Sequence, residues 1–338
     1  MAAIPASMTS DAGMMGWLIS VTSAMRAVAM NTFGGPEVLK LVELPEPLLG
    51  PDQVTLRVVG AGVNPVDWKI REGWLAQAFP HVFPVIPGWD VSGVVTRVGP
   101  TVQGYKLGDR VVGYVRKDWV QAGTYAELVT ASPRHLAHVP DEVDLVAAAG
   151  LPLAGLTALQ ALHRAGISAD SGSGDTVLVH AAARGVGYFA VQLARRFGAR
   201  VIGTASRHNH EFLRAHGVEP VAYGDDLVKL VRAISPTGVD AAVDFVGGQA
   251  VPQSFGLLAD PSRLVTVAAG PAALAGGGQH HFVVPDAAEL ATLIELVASG
   301  DLIIEVAARF PLAEAAAAQA EVQANHVRGK IVIEVLEA

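Results

Sequence analysis

Cysteine is absent from the 338-residue chain. Its absence excludes a disulfide framework, a cysteine zinc finger and a thiol nucleophile. A basic excess is also missing, because the formal net charge is −8, which argues against a nucleic-acid-binding surface. The apolar patch at residues 14–21 is too short to span a bilayer. We therefore expect a cytoplasmic protein with no nucleic-acid or membrane partner.

Residues 1–24 differ from the rest of the chain. They carry four methionines and no periodic pattern, and they lack the basic region of a secretory leader. We interpret residues 1–24 as a disordered N-terminal extension. A translation start at Met25 is the alternative.

The clearest pattern in the chain is a strand, a tight turn and a helix. Residues 176–180 form a short apolar run, the turn carries Gly185 and Gly187, and apolar side chains then recur with helical spacing up to Gly198. Residues 200–204 form a second buried strand, which completes a βαβ unit of a parallel sheet. Such a unit aims helix N–H groups at a phosphate, and glycines let a pyrophosphate approach the backbone. The pattern predicts a dinucleotide site.

The residues after the second strand indicate which dinucleotide is bound. An NAD site places a carboxylate here to accept a hydrogen bond from the ribose 2′-OH. This chain has Ser206 and Arg207 instead, and both suit a 2′-phosphate. We predict NADPH as the cofactor.

The apolar patterns divide the chain into two domains. Between residues 25 and 148, short strands separated by Gly, Pro and Asp predict a barrel-like catalytic domain. Helices and strands alternate over residues 149–278, which predicts an inserted Rossmann domain with a doubly wound parallel sheet, an α/β architecture. We expect residues 279–338 to return to the catalytic domain, with the substrate in the cleft between the domains.

Several short motifs are spread over the chain from Met25 onward. Besides the glycine turn, they are residues 62–67 (GVNPVD), 86–93 (IPGWDVSG), 108–111 (GDRV), 123–127 (GTYAE), 153–158, 244–248 (DFVGG) and 328–332 (RGKIV). Together they resemble the medium-chain dehydrogenase/reductase superfamily and, within it, the zinc-independent, zeta-crystallin-like quinone oxidoreductases. The resemblance implies a GroES-like barrel with an inserted Rossmann domain, and a homodimer.

The positions of the catalytic zinc ligands in that superfamily hold other residues here. Asn64 stands where the zinc branch has a cysteine, and Trp89 where it has a histidine. An indole is no zinc ligand and an amide is a poor one, so we expect no metal. The remaining chemistry is hydride transfer from NADPH to a quinone or an α,β-unsaturated carbonyl. The alternatives are a non-catalytic NADPH-binding sensor or structural protein, and an enoyl-thioester reductase.

By resemblance, the catalytic candidates are Asn64, as a polar contact or a group that orients the nicotinamide, Thr157 beside the nicotinamide, and Asp67. Asp67, Lys69 and Tyr125 either line the same cleft or have only structural roles. The predicted cofactor-binding residues are Asn64, Thr157, Ala182, Ala183, Arg184, Gly185, Val186, Gly187, Ser206, Arg207, Tyr223, Val246, Gly247, Ala268, Ala269 and Lys330.

Arg184 departs from the family pattern, in which relatives usually have glycine. If the turn needs a positive φ or a close backbone approach here, arginine costs stability or blocks the pyrophosphate. If the side chain swings outward, the guanidinium can pair with a cofactor phosphate. We favour the second interpretation.

The predicted dimer uses the edge of the Rossmann sheet. Residues 263–268 read as an apolar edge strand, and an unpaired edge of this kind favours pairing with a second copy. Substrate specificity is expected to lie in the loops at residues 68–82 and 270–282.

Overall fold

The computed structural model describes residues 23–171, 174–325 and 327–336. Most of the predicted disordered extension, residues 1–24, lies outside the described residues. Its last residue, Ala24, begins the first strand, because residues 24–29 pair in full register with a second strand. None of the helices in these ranges combines the length and the apolar character needed to cross a membrane.

The elements follow one another from β-structure to alternating α/β-structure. The first part comprises β1 (Ala24–Ala29), β2 (Lys40–Pro45), β3 (Val54–Val63), α1 (Pro65–Arg71), β4 (His81–Ile86), β5 (Asp90–Val98), β6 (Arg110–Tyr114), β7 (Val120–Ala122), β8 (Leu128–Ala131), β9 (Leu136–His138) and α2 (Leu145–Ala148). The second comprises α3 (Pro152–Arg164), β10 (Thr176–Val179), α4 (Gly185–Arg196), β11 (Arg200–Thr204), α5 (His210–Ala215), β12 (Glu219–Val221), α6 (Leu227–Ile234), β13 (Ala241–Asp244), α7 (Ala250–Phe255), β14 (Leu264–Thr266), α8 (Gly270–Ala275) and β15 (Gln279–His280). The last comprises α9 (Ala287–Ala298), β16 (Val306–Pro311), α10 (Ala315–Ala324) and β17 (Lys330–Glu334). Short 3₁₀ helices lie at Pro36–Val38, Pro133–His135, Arg207–Asn209, Pro261–Arg263 and Leu312–Glu314.

The catalytic domain is built on a mostly antiparallel sheet in the order β16-β17-β3-β5-β6-β9, with β8 also paired to β3. The central strand β3 is almost completely buried, as its run of valine, leucine and small residues requires. Strand β17 pairs antiparallel with the end of β3, which brings the last residues of the chain back to the first sheet.

The Rossmann sheet is parallel, in the order β12-β11-β10-β13-β14-β15. Its central strands, β10, β11, β13 and β14, are largely buried, as the continuous apolar runs predict. Val177 and Val179 pack into one core with α3 and α4, and Leu178 between them packs into a second core on the other face. Gly198 has φ 84°, a conformation that ends α4 where the sequence predicts. The predicted α/β fold class is confirmed.

One prediction about the edge of this sheet is wrong. Strand β14, the predicted unpaired edge, pairs with β13 on one side and with β15 on the other. Strand β15 also lies beyond residue 278, the predicted end of the Rossmann domain. A strand of two residues has no readable period, so the sequence pattern could not reveal it.

Candidate active site

The turn between β10 and α4 opens the start of the helix toward the cleft between the domains. A Cβ at position 187 would lie 2.1 Å from the carbonyl oxygen of Ala181, so only glycine lets the helix begin this close to the strand. The left-handed residue of the turn is Ala181, with φ 54°. Arg184, the N-cap of α4, is extended, with φ −95° and ψ 170°. Arginine therefore carries no backbone strain at this position, because the turn does not need a positive φ here.

Arg184 lies between two cavities and lines both of them. The first has a volume of about 210 Å³ and the second about 480 Å³. Of the predicted site residues, the first is lined by Asn64, Arg184, Gly185, Val186, Gly187, Val246, Ala268 and Lys330, and the second by Ala183, Arg184, Ser206, Tyr223, Val246 and Gly247. The fold thus brings most of the predicted residues into one continuous region.

Five predicted residues lie outside both cavities: Asp67, Thr157, Ala182, Arg207 and Ala269. Thr157 is 4% exposed, and its hydroxyl donates to the carbonyl oxygen of Leu153 one turn earlier in α3, at 2.5 Å. Arg207 is exposed on a short 3₁₀ helix.

A buried polar network lies behind the first cavity. Asn64, at the end of β3, donates from Nδ2 to Asp90 Oδ2 at 2.8 Å and accepts from Lys330 Nζ at Oδ1. Asp90 also accepts from the backbone N–H of Leu153 at 2.8 Å, which fixes the start of α3. Lys330 donates to the carbonyl oxygen of Val63 as well, at 3.0 Å. The network therefore holds Asn64 in one orientation between strands β5 and β17, and links it through Asp90 to the start of α3.

Asp67 belongs to the same network. Its Oδ2 accepts from the backbone N–H of Asn64 at 2.8 Å and from the Tyr125 hydroxyl at 3.0 Å. Asp67 is thus a buried structural partner of Asn64, and Tyr125 is a partner of Asp67. Neither lies on the wall of either cavity.

The network has shifted pKa values because it buries two carboxylates with one ammonium. Burial raises the pKa of Asp67 from 3.8 to about 7, although hydrogen bonds and Lys330 lower it. Burial also raises the pKa of Asp90 to about 6, against the opposing effect of Lys330. Burial lowers the pKa of Lys330, and the two carboxylates partly offset this. The group therefore exchanges a proton near neutral pH.

Lys69 lines the first cavity from the last turn of α1. Its Nζ lies 5.7 Å from the ring centre of Trp68, and it makes no hydrogen bond or ion pair with the residues that the structure describes. Burial lowers the pKa of its ammonium. Lys69 is therefore a cavity-lining cation whose pKa lies below its ordinary value.

The second cavity offers polar groups for the adenosine end of a cofactor. Ser206 Oγ lies 3.3 Å from both His208 Nε2 and Asn209 Nδ2, and all three residues line the cavity. Tyr223 stands at the rim, 66% exposed, two residues beyond the end of β12. His208 and Asn209 were not predicted as cofactor-binding residues, although they follow the predicted Ser206 and Arg207 in sequence.

The residues at the family's zinc positions do not fit a zinc ion. The side-chain oxygen of Asn64 already accepts from an ammonium. Trp89 is 6% exposed and packs edge-on against Tyr114 and Phe79. Among the residues that the structure describes, no cluster of three or more His, Cys, Asp or Glu side chains could hold a metal ion.

Comparison with known proteins identifies the family. Residues 50–141 match the alcohol dehydrogenase GroES-like domain, and residues 216–333 match the zinc-binding dehydrogenase family. The chain is 33% identical to the chloroplast envelope quinone oxidoreductase homolog of Arabidopsis thaliana over 92% of this chain and 98% of that protein. It is 32% identical to the NADPH-dependent alkenal/one oxidoreductase of the same plant, over 93% and 80%.

A solved structure agrees with these relatives. The quinone oxidoreductase from Coxiella burnetii superposes with a TM-score of 0.82 at 34% identity, over 93% of this chain and 100% of that one. The glycine turn, the Asn64 motif and the paired domains therefore have one explanation: the chain belongs to the quinone-oxidoreductase-like group of the medium-chain dehydrogenase/reductase superfamily.

Proposed function

We propose that this protein is an oxidoreductase that transfers hydride from NADPH to a quinone or an α,β-unsaturated carbonyl without a metal ion. The observation that carries this proposal is the first cavity. It joins the start of the glycine-turn helix to Asn64, Lys69 and Lys330. Two relatives are named as oxidoreductases of quinones and of alkenals or alkenones, and these acceptors are of the class proposed here.

The residues present fit a dinucleotide phosphate cofactor. Gly185 and Gly187 let α4 begin in close contact with the Lys330 stem and the Ala181 carbonyl, and the N–H groups at the start of this helix suit a pyrophosphate. Ser206, His208 and Asn209 suit the 2′-phosphate, and Arg207 adds a cation at the surface nearby. When bound, NADPH would supply the hydride from the nicotinamide ring.

The chain's own residues orient the reactants and move a proton. Asn64 is held rigidly by Lys330 and Asp90, so it presents a fixed amide to the cavity. Reduction of a conjugated acceptor leaves negative charge on its oxygen, and Lys69 can donate a proton there and recover one from solvent. A conjugated acceptor needs no metal because conjugation spreads the incoming charge.

A deuterium-transfer experiment tests this proposal. NADPH labelled with deuterium at C4 is incubated with the protein and an α,β-unsaturated ketone, and the product is analysed by mass spectrometry and NMR. We expect one deuterium at the β-carbon of the product and no reduction of the saturated ketone of the same skeleton. Tight NADPH binding without any product would instead favour the non-catalytic sensor.

We also propose a homodimer, formed through strand β15 rather than β14. Within the described residues β15 pairs on one side only, and the exposed apolar side chains of Phe282 and Val284 follow it. Sedimentation velocity should show a dimer, and Val284→Asp should shift the protein toward monomer.

The cytoplasmic location stays a prediction. The two Arabidopsis relatives are named as chloroplast proteins. Fractionation of the native cells, with an antibody against this chain, tests the location directly.

A further inference from the structure

Arg184 joins the glycine turn to the end of α10. Its guanidinium donates one hydrogen bond to the side-chain oxygen of Asn325 and a second to the backbone carbonyl oxygen of Asn325, at 2.6 Å. Arg184 is the N-cap of α4, and Asn325 is the C-cap of α10, with φ 69°. The contact therefore ties the Rossmann turn to the segment that leads into β17.

This contact lies where the two cavities meet, because Arg184 and Asn325 each line both of them. A dinucleotide with its nicotinamide near Asn64 and its adenosine end near Ser206 must pass between the cavities at this point. Its pyrophosphate, the central part of the molecule, would then lie at the start of α4 beside the Arg184 guanidinium.

The pyrophosphate and Asn325 would compete for the same guanidinium N–H donors of Arg184, and the two acceptors differ in charge. Both oxygens that Asn325 offers are neutral, whereas a pyrophosphate oxygen is charged, so the guanidinium gains the attraction of an opposite charge in addition to its hydrogen bonds. The exchange therefore favours the cofactor. The hydrogen bonds to Asn325 must nevertheless break first, and this lowers the apparent affinity of the free protein.

We propose that Asn325 determines cofactor affinity by holding the Arg184 guanidinium in the free protein, and that the cofactor pyrophosphate takes over these donors on binding. The inference rests on the proposed NADPH function and adds an affinity-setting residue to it. Asn325 thus acts through Arg184, as a positioning residue.

Substitutions at two positions separate this competition from other effects. Asn325→Gly removes the side-chain oxygen, and Asn325→Asp replaces it with a charged acceptor. Glycine and aspartate both tolerate the left-handed conformation of residue 325. Each substitution is made in the unmodified protein and in Arg184→Gly, and NADPH binding is measured by fluorescence titration. Circular dichroism checks that every variant is folded.

We expect Asn325→Gly to lower the NADPH Kd about two- to tenfold, the range of one hydrogen bond, and Asn325→Asp to raise it. In the Arg184→Gly background, Asn325→Gly should leave the NADPH Kd unchanged. In the same background, Asn325→Asp should raise the Kd less than it does in the unmodified protein. An Asn325→Gly variant with unchanged or weaker binding would overturn the inference, as would equal effects in the two backgrounds. If none of the proteins, including the unmodified one, bound NADPH, the proposed function would fall as well.

Discussion

Lys330 reaches Asn64 across the first residue of the cofactor-binding helix. Its ammonium donates to the side-chain oxygen of Asn64, and its alkyl stem lies so close to Gly185 that a Cβ there would be 2.9 Å from Lys330 Cδ. Lys330, one of the predicted cofactor-binding residues, is a buried cation near two buried carboxylates. It links the last strand, the catalytic motif and the glycine turn.

Replacing Lys330 with methionine tests that role. The substitution keeps the approximate shape of the stem but leaves Asp90 and Asp67 without their cation. The Lys330 ammonium donates hydrogen bonds to Val63 and Asn64, and loss of a hydrogen bond to a charged group costs about 1.5–3 kcal/mol. We expect a loss of this size in the free energy of urea unfolding at pH 8 and a smaller loss at pH 5, where the carboxyl groups are more often protonated. Lys69→Met is the control and should cost less than about 0.5 kcal/mol, because Lys69 has no ion pair among the described residues. Equal losses in the two variants would refute the assigned role.

The raised pKa of Asp67 predicts a specific pH dependence of stability. The pKa rises from 3.8 to about 7 on folding, so the folded state binds more protons than the unfolded state between these values. The stability that Asp67 contributes is therefore fully present below about pH 4 and is lost as the pH rises through about 7. In a comparison with Asp67→Asn, the unmodified protein should lose stability relative to the variant over this window.

The contribution of Asp67 is given by the difference in the free energy of unfolding between the unmodified protein and Asp67→Asn. Burial lowers the pKa of His180 and of His281 to about 4, and lowered histidine pKa values make the total stability rise with pH. These contributions cancel when the variant is subtracted. Urea unfolding at several pH values provides the measurement, and a difference that grows in favour of the unmodified protein with pH would contradict the account.

The two glycines of the turn should differ in their tolerance of alanine. At position 187 the new Cβ would meet a backbone oxygen at 2.1 Å, whereas at position 185 it would meet the flexible Lys330 stem at 2.9 Å. We expect Gly187→Ala to cost about 1–3 kcal/mol or more through overpacking and to abolish NADPH binding. Gly185→Ala should be milder in both measurements. The reverse order of severity would show that the turn is packed differently.

Cofactor selectivity should depend on the residues after β11. Arg207→Ala removes a charged donor, whose hydrogen bond to a phosphate contributes about 1.5–3 kcal/mol, so the NADPH Kd should rise about ten- to hundredfold. The NADH Kd should stay within about twofold, because NADH lacks the 2′-phosphate. Parallel titrations measure both constants. If both rose equally, Arg207 would have a structural role, and Ser206, His208 and Asn209 would be left as the selective residues.

The local parts of the fold were predictable from sequence. Strand β11 has the predicted limits, residues 200–204, because a short apolar run between a helix-ending glycine and a polar segment defines both of its ends. The dinucleotide turn was equally readable, since Gly187 is required by a close backbone approach. Both depend on neighbours within about ten residues.

The buried network was not predictable in the same way. Asp90 lies in the motif at residues 86–93, but its neighbours in sequence do not indicate that its carboxylate accepts hydrogen bonds from Asn64 and from the backbone at the start of α3. The contact between Arg184 and Asn325 spans 141 positions, and lysine is usually solvated, so Lys330 gave no sign of burial. These features arise from the approach of distant strands, which no periodicity encodes.

The most direct test of the central claim is a steady-state assay of NADPH oxidation on protein treated with a strong metal chelator. Quinones, α,β-unsaturated ketones and saturated ketones are compared as acceptors, with NADH in parallel. The account predicts oxidation of NADPH that requires a quinone or a conjugated ketone, exceeds that of NADH and is unchanged by the chelator. Activity that disappears on chelation, or that appears only with saturated ketones, would contradict it.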